Sequence, residues 1–415
     1  MRALTTTPGR SASDRRRVAL YSHDTMGVGH VRRNLLIAQA LVGPPASTTV
    51  LLIAGAKEAT AFALPTGADC LTLPALYKTP DGAYQSRALG LSLPELVGLR
   101  ARAITAALRA FDPDVLVVDK EPRGAVSELG PALRALKARG RTRCVLGLRD
   151  VLDDPAAVRR EWAAAANEEA VRDYYEAVWV YGDPAVYDVV AECDLGPAVG
   201  AKATYTGYLD PCARLAAVPG GDDPDLPLGR FALCTVGGGQ DGARVAEAFA
   251  AARRPPGLGA VVVTGPYMPA DARDRLHRCA AADPGLRVRE FVPEPCRLLC
   301  RADRVVTMGG YNTVCEVLAF KKPALVVPRV VPRREQLIRA ERLRDLGLLD
   351  VLHPDAVTPT AVARWLAADA PAPDRRRIDL DGLRRLPALV DDLLANAPLL
   401  PPIQSARVEV RHAAS

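Results

Sequence analysis

Aromatic residues make up only 5% of this 415-residue chain. That is too few to interleave with basic side chains in the stacking platforms that hold single-stranded nucleic acid. The net charge of +6 is small for the length, and most arginines alternate with Asp and Glu instead of forming one basic face, so no nucleic-acid partner is expected. Uncharged apolar runs never reach the roughly 18 residues of a membrane-spanning helix. The opening residues 1–16 hold Ser, Thr and Arg without an apolar core, and read as a disordered extension in place of a secretory signal. The nine cysteines form no C-x-x-C pair, and an odd number without a signal fits reduced thiols in a cytoplasmic setting. Cys296 and Cys300 can share a helical face, but no second His/Cys pair accompanies them, so no zinc site is expected. A D-x-D pair just after an apolar strand is also lacking: Asp112–Asp114 precedes its strand, and Asp222, Asp223 and Asp225 fall in a Pro/Gly-rich stretch.

What is present is a repeated alternation of β-branched apolar runs with Ala/Leu/Arg stretches of helical period, the pattern of βα units around parallel sheets. At this length two domains are the expectation. Strands are predicted in the first half at Val18–Ser22, Thr49–Ala54, Cys70–Leu73, Asp114–Asp119, Cys144–Arg149 and Ala177–Gly182. In the second half they are predicted at Phe231–Val236, Ala260–Gly265, Arg287–Phe291, Arg304–Met308, Ala324–Pro328 and Asp350–Leu352. The non-periodic stretch from Pro211 to Gly229 marks a linker. The resulting division is 17–206, a linker at 207–229, 230–382, and a last helix with a tail at 383–415.

Each half opens with a strand, a Gly-rich loop and a helix: VALYSHDTMGVGHVRRN, then FALCTVGGGQDGARV. A third such unit, VVTMGGYNTVCEVLAF, follows in the second half. Unpaired N–H groups and the positive end of a helix dipole make such a turn an anion site. In open α/β sheets ligands sit beyond the carboxyl ends of the strands, so two such domains would bring their loops to one cleft.

These motifs resemble those of GT-B glycosyltransferases, most closely the MurG-like group that uses UDP-sugars. The resemblance covers roughly residues 17 to 390 and implies two Rossmann-like parallel-sheet domains facing each other across a cleft. Gly237-Gly238-Gly239-Gln240-Asp241-Gly242 resembles the family's GGSxGA turn, which implies donor contacts from Gly238, Gly239 and Gln240. Glu290-Phe291-Val292 resembles the segment beside the nucleobase. TMGGYNTVCEVLAFKKPALVVP resembles the diphosphate and ribose signature, with Gly309, Gly310 and the N–H groups of Asn312 and Thr313 on the diphosphate and Glu316 on the ribose hydroxyls. Gln336 resembles the donor-sugar contact, with Glu335 beside it as the competing candidate. GVGH resembles the family's GTGGH loop but has Val28 where Gly is usual; Gly27 and Gly29 are retained. The stretches VVDKEPRG, LGLRDVLDDP, VYGDPAVYD and TGYLDP resemble a less characterised group of bacterial transferases of this fold.

His30 is the candidate general base, since imidazole titrates near neutrality and the residue falls at a strand-to-helix loop. A helix-terminal His that only binds phosphate is the plainer alternative. His23 reads as structural. Asp24, Asp119, Lys120, Arg149 and Asp150 all follow apolar strands and would line the acceptor side, with Asp119 or Asp150 as alternative bases. Salt bridges between loops and strands explain each of them equally well alone. Arg333 and Arg334 either neutralise phosphate or face solvent. Without a strand-end D-x-D, leaving-group charge falls to N–H groups, helix dipole and Arg, and no cofactor or metal is expected.

Three functions fit the residues. One is transfer of a sugar from a nucleotide sugar, by resemblance a UDP-sugar, to the hydroxyl of a small-molecule, lipid-linked or polysaccharide acceptor. The second is UDP-sugar 2-epimerisation on the same fold, and the third is non-catalytic binding of nucleotide sugar. The stretch Leu91 to Phe111, with Arg100, Arg102 and Arg109, is either an amphipathic helix covering the sheet or a peripheral contact with the inner face of a membrane.

Overall fold

The computed structural model describes residues 15–24, 29–42, 48–56, 59, 62–79, 83–212, 215, 229–292, 295–369, 372–374 and 378–395. Two parallel sheets organise it. The first contains β1 (Arg16–Ser22), β2 (Thr48–Ala54), β3 (Ala68–Thr72), β6 (Val115–Asp119), β7 (Arg143–Arg149), β8 (Ala177–Tyr181) and β9 (Ala203–Tyr205), with a separate antiparallel hairpin of β4 (Leu76–Lys78) and β5 (Tyr84–Ser86). The second contains β10 (Phe231–Thr235), β11 (Gly259–Val263), β12 (Leu286–Arg289), β13 (Arg304–Thr307), β14 (Ala324–Val326) and β15 (Asp350–Val351).

Central strands such as VLVVD of β6 and FALCT of β10 are buried along their whole length. That is what helices on both faces of a parallel sheet require, and it explains continuous apolar runs in place of alternation. The strand orders are β3-β2-β1-β6-β7-β8-β9 and β12-β11-β10-β13-β14-β15. Six strands of the first sheet therefore repeat the order of the second. In each sheet the order reverses beside the opening strand, between β1 and β6 and between β10 and β13, the kind of switch point at whose strand ends open α/β sheets bind ligands.

The twelve predicted strands all form, with ends shifted by a residue or two. The seventh strand of the first sheet, β9, was not foreseen: its residues Ala-Thr-Tyr are too short and too polar for a pattern, and it forms only because β8 offers a free edge (Val178↔Ala203, Val180↔Tyr205). The β4–β5 hairpin was missed for the same reason. Most of the predicted linker, and the predicted 1–16 extension apart from Arg15 and Arg16, lie outside the described residues.

The last helix, Gly382–Ala395, leaves the second half and packs on the first helix, Gly29–Val42, where Leu383, Leu386 and Val390 share a core with Leu35 and Ala38. Its approach is tied by backbone bonds, Tyr208 N to Asp379 O at 2.8 Å and Gly382 N to Tyr208 O at 3.0 Å. Arg16 and Asp391 form an ion pair beside it.

The helix Leu93–Phe111 shows how charge can be hidden. Its buried stripe is Leu96, Arg100, Ile104 and Leu108, one residue per turn. Arg100 is fully buried and donates to Glu128 Oε1 at 2.9 Å and to the Pro74 carbonyl at 2.6 Å, while Tyr21 Oη donates to the same Glu128 oxygen at 2.6 Å. The membrane alternative is thereby corrected for Arg100, which faces the sheet and not a lipid surface. No helix among the described residues is long and apolar enough to cross a membrane. Replacing Arg100 with Ala strands the Glu128 carboxylate, and the expected loss is about 3–5 kcal/mol of unfolding free energy. Denaturant titration checks it; the double variant Arg100→Met/Glu128→Gln should recover much of that loss.

Candidate active site

Asp24, two residues past the end of β1, prepares the start of the first helix. Asp24 Oδ1 accepts from Val31 N at 3.0 Å, and Oδ2 accepts from Ser22 Oγ and from Gly55 N at 3.3 Å. Burial raises its pKa. Sequence placed Asp24 on the acceptor side, but its oxygens are turned into the protein, onto Ser22, Val31 and Gly55. Gly27 lies outside the described residues.

His30 and Arg33 then project one turn apart toward the end of β6, where Asp119 is 1% exposed. His30 Nδ1 lies 2.6 Å from Asp119 Oδ2, and Arg33 Nη2 lies 2.5 and 2.6 Å from its two oxygens. Burial would raise the Asp119 carboxyl, but the Arg33 guanidinium and His30 outweigh it and hold it far below the usual range. An ionised carboxylate only accepts, so a proton on Nδ1 is what this contact calls for, with Arg33 Nη2 also 3.0 Å from the same nitrogen. Asp119 is thus an orienting partner of His30, and no free base itself. Arg33 also stacks near Tyr181 and Tyr311, 6.0 and 5.6 Å from their ring centres.

Asp150 requires the larger correction. Arg339, from the helix Glu335–Asp345 of the second half, donates Nε to Oδ2 at 2.7 Å and Nη2 to Oδ1 at 2.6 Å. Tyr208 Oη and Val151 N supply two further bonds at 3.0 and 2.7 Å. With both oxygens engaged and no exposure, Asp150 fastens the two halves and has no lone pair to offer as a base. Around this pair run more bridges: Arg333 to Asp153 at 2.9 Å and Glu161 at 2.8 Å, Arg334 to Asp154 at 3.3 Å, and Arg342 to Glu192 at 2.8 Å. Arg333 and Arg334 accordingly serve the interface. Lys120 pairs with the neighbouring Glu121 at 2.9 Å.

Across the cleft, Gly310 caps the helix Tyr311–Ala319, and the first bond of that helix is Val314 N to Gly310 O at 3.0 Å. The N–H groups of Tyr311, Asn312 and Thr313 therefore have no partner within the helix. Gly309 has φ 78°, and a Cβ there would sit 2.7 Å from Val326 Cγ1; at Gly310 a Cβ would meet open space. Asn312 Nδ2 donates to Gly29 O at 2.9 Å, so the starts of the two helices face each other. Glu316 is buried one turn along and pairs with Arg32 of the first half. Gln336 Oε1 accepts from Arg329 N at 2.9 Å, and Glu335 Oε1 accepts from Arg329 Nη2 at 2.7 Å. In the remaining loop Gly239 has φ 88° and lies directly against the Thr264 carbonyl, while Gln240 is exposed. Phe291 is 41% exposed, unusual for a Phe, and Val292 is half-buried beside it.

Sequence reasoning assigned no role to Arg32, Arg33, Arg339, Tyr208 or Tyr311. The spacing of Arg33 three residues after His30 was the available signal, because it puts both on one face; nothing local marked Arg339 as buried. Tyr311 is clasped by Arg33 and Arg339 and stacks on Tyr208 at 6.1 Å. No group of three or more His, Cys, Asp or Glu among the described residues could hold a metal.

No family model matches the chain. Over 81 residues it is 28% identical to the UDP-N-acetylglucosamine–N-acetylmuramyl-(pentapeptide) pyrophosphoryl-undecaprenol N-acetylglucosamine transferase of Haemophilus influenzae (strain PittGG), covering 20% of this chain and 23% of that one. The match thus spans less than a quarter of the relative's length. Among solved structures, the glycotransferase of kitacinnamycin superposes with a TM-score of 0.56 at 19% identity, over 92% of this chain and 100% of that one. A putative UDP-N-acetylglucosamine 2-epimerase from Listeria monocytogenes gives 0.58 at 15% identity, over 91% and 96%. The chain therefore has the GT-B fold. In sequence it is similar to MurG-type transferases over the stretch stated.

His23, beside His30 with ring centres 4.6 Å apart, is buried and its Nδ1 has no partner among the described residues. Burial, then the charge of His30, pushes its pKa well below the usual value. A folded state that refuses a proton which the unfolded chain accepts loses stability as pH falls below about 6.5. Unfolding titrations at pH 7, 6 and 5 should show the unaltered chain losing up to about 1.4 kcal/mol per pH unit relative to His23→Gln.

Proposed function

We propose that the chain is a glycosyltransferase that moves a sugar from a UDP-sugar donor to an acceptor hydroxyl with inversion. The observation that carries this reading is the His30–Asp119–Arg33 cluster, set directly opposite the open helix start at Gly310–Thr313. His30 Nε2 takes the proton of the acceptor hydroxyl as its oxygen attacks the anomeric carbon. The bond from that carbon to the diphosphate breaks on the opposite face, and the imidazolium that forms is stabilised by Asp119. A single displacement inverts the anomeric configuration. The diphosphate receives the bonding electron pair, and the N–H groups of Tyr311 to Thr313 and the helix dipole stabilise its charge.

Glu316 is assigned to the ribose hydroxyls, which would replace Arg32 as its partner and leave that guanidinium free to face the diphosphate. Phe291 and Val292 are assigned to the base, Gln336 and Glu335 to the sugar, and the Gly238–Gln240 loop to the phosphates. The acceptor class is left to experiment. An epimerase working on the donor sugar needs several free carboxylates there, whereas Asp119 and Asp150 are committed to arginines and Glu121 pairs with Lys120, which leaves Glu335 alone; this favours transfer.

His30→Ala should lower turnover by about 10²–10⁴ while UDP affinity, read by calorimetry, is unchanged. Equal turnover in the variant would identify a protein that binds without His30 chemistry. Incubation with UDP-N-acetylglucosamine alone tests the rival: an epimer accumulating without acceptor overturns transfer. Turnover is expected to persist in EDTA.

A further inference from the structure

We propose that Arg149 and Glu335 form a slot for one hydroxyl of a neutral donor sugar, making Arg149 a specificity-determining residue contributed by the opposite domain. This rests on the reading of the cleft as a nucleotide-sugar site. Arg149 ends β7, next to Asp150, and Glu335 lies one helical turn before Arg339. The Asp150–Arg339 pair joins the two elements, and Arg149 and Glu335 lie close enough for each to act on the other's charge. The buried atoms there that lack a hydrogen-bond partner among the described residues include Arg149 Nε and Glu335 Oε2, together with Arg33 Nε and Arg329 Nε of arginines that already hold a carboxylate. The first two are complementary, a donor and an acceptor, yet they do not bond to each other.

Among the described residues, the neighbouring guanidinium groups each hold a carboxylate. Arg33 is committed to Asp119, Arg339 to Asp150, and Arg329 to the other oxygen of Glu335. Arg149 has no ion pair among the described residues. Burial, only partly offset by Glu335, lowers its pKa, and Arg33 and Arg339 press in the same direction. Burial opposes charge on Glu335 as well, but Arg149, Arg329 and Arg339 keep its carboxyl below the usual range.

One group satisfies both orphans at once: a hydroxyl, which accepts from Arg149 Nε–H and donates to Glu335 Oε2. An ammonium would donate to Glu335 but face Arg149 as a like charge. A carboxylate would suit Arg149 but face Glu335. The slot therefore selects a neutral hydroxyl.

Calorimetry of the full chain with UDP, UDP-glucose, UDP-galactose and UDP-N-acetylglucosamine tests it. At least one of these sugars should bind more tightly than UDP. Arg149→Gln and Glu335→Gln should each cut that advantage roughly tenfold, leaving UDP affinity unchanged. The double variant should lose no more than either single one, since one hydroxyl serves both residues. Arg149→Lys, which keeps the charge but lacks the Nε donor, should fail like Gln and melts as the unaltered chain does. An equal loss for UDP and UDP-sugar would overturn the slot and assign Arg149 to the diphosphate. UDP binding with no sugar advantage would also overturn it while sparing the nucleotide site. No UDP binding at all would overturn the nucleotide-sugar reading and the slot with it.

Discussion

The buried ion pair between Asp150 and Arg339 is the contact on which the arrangement of the cleft depends. Two ions taken out of water lose several kcal/mol each in hydration, and mutual attraction restores this only when geometry is good and remaining sites are bonded. Here both conditions hold: the pair is bidentate, Tyr208 and Val151 complete the aspartate, and Arg339 also donates to the Gly309 carbonyl at 3.2 Å. Such a pair contributes geometry more than stability. It admits one register between the domains, and in that register Gly309, Tyr311 and Glu335 of one half face Arg33, Asp119 and Arg149 of the other.

The same physics explains why arginine dominates the interior. Arg33, Arg100 and Arg339 are among the largest fully buried side chains. A planar guanidinium can serve a carboxylate, a carbonyl and an aromatic face together, which a lysine ammonium cannot. Each of these three has a carboxylate of its own. Arg149 has none among the described residues, and that imbalance is what distinguishes the proposed ligand-facing cation from the structural ones.

Much of the fold was legible because parallel strands covered on both faces must be apolar throughout, so β6, β10 and β13 announce themselves. The Gly309–Gly310 turn was legible because only glycine tolerates φ 78° against Val326. The roles of the strand-end aspartates were not. Asp24, Asp119 and Asp150 look alike in sequence, each a carboxylate after an apolar run, but one caps a helix, one orients a histidine and one fastens two domains. Those outcomes depend on partners 7, 89 and 189 positions away, and no local pattern records them.

The sequence by itself determined the two sheets, their helical cover, the glycine turns at the strand ends and the candidacy of His30, because each follows from short-range sterics and the periodicity of apolar burial. The tertiary structure alone decided which charges cancel. Ion pairing in a desolvated crevice depends on distances between chain-remote groups, so only the folded chain could commit Asp150 to Arg339, leave His30 with Asp119, and leave Arg149 unmatched.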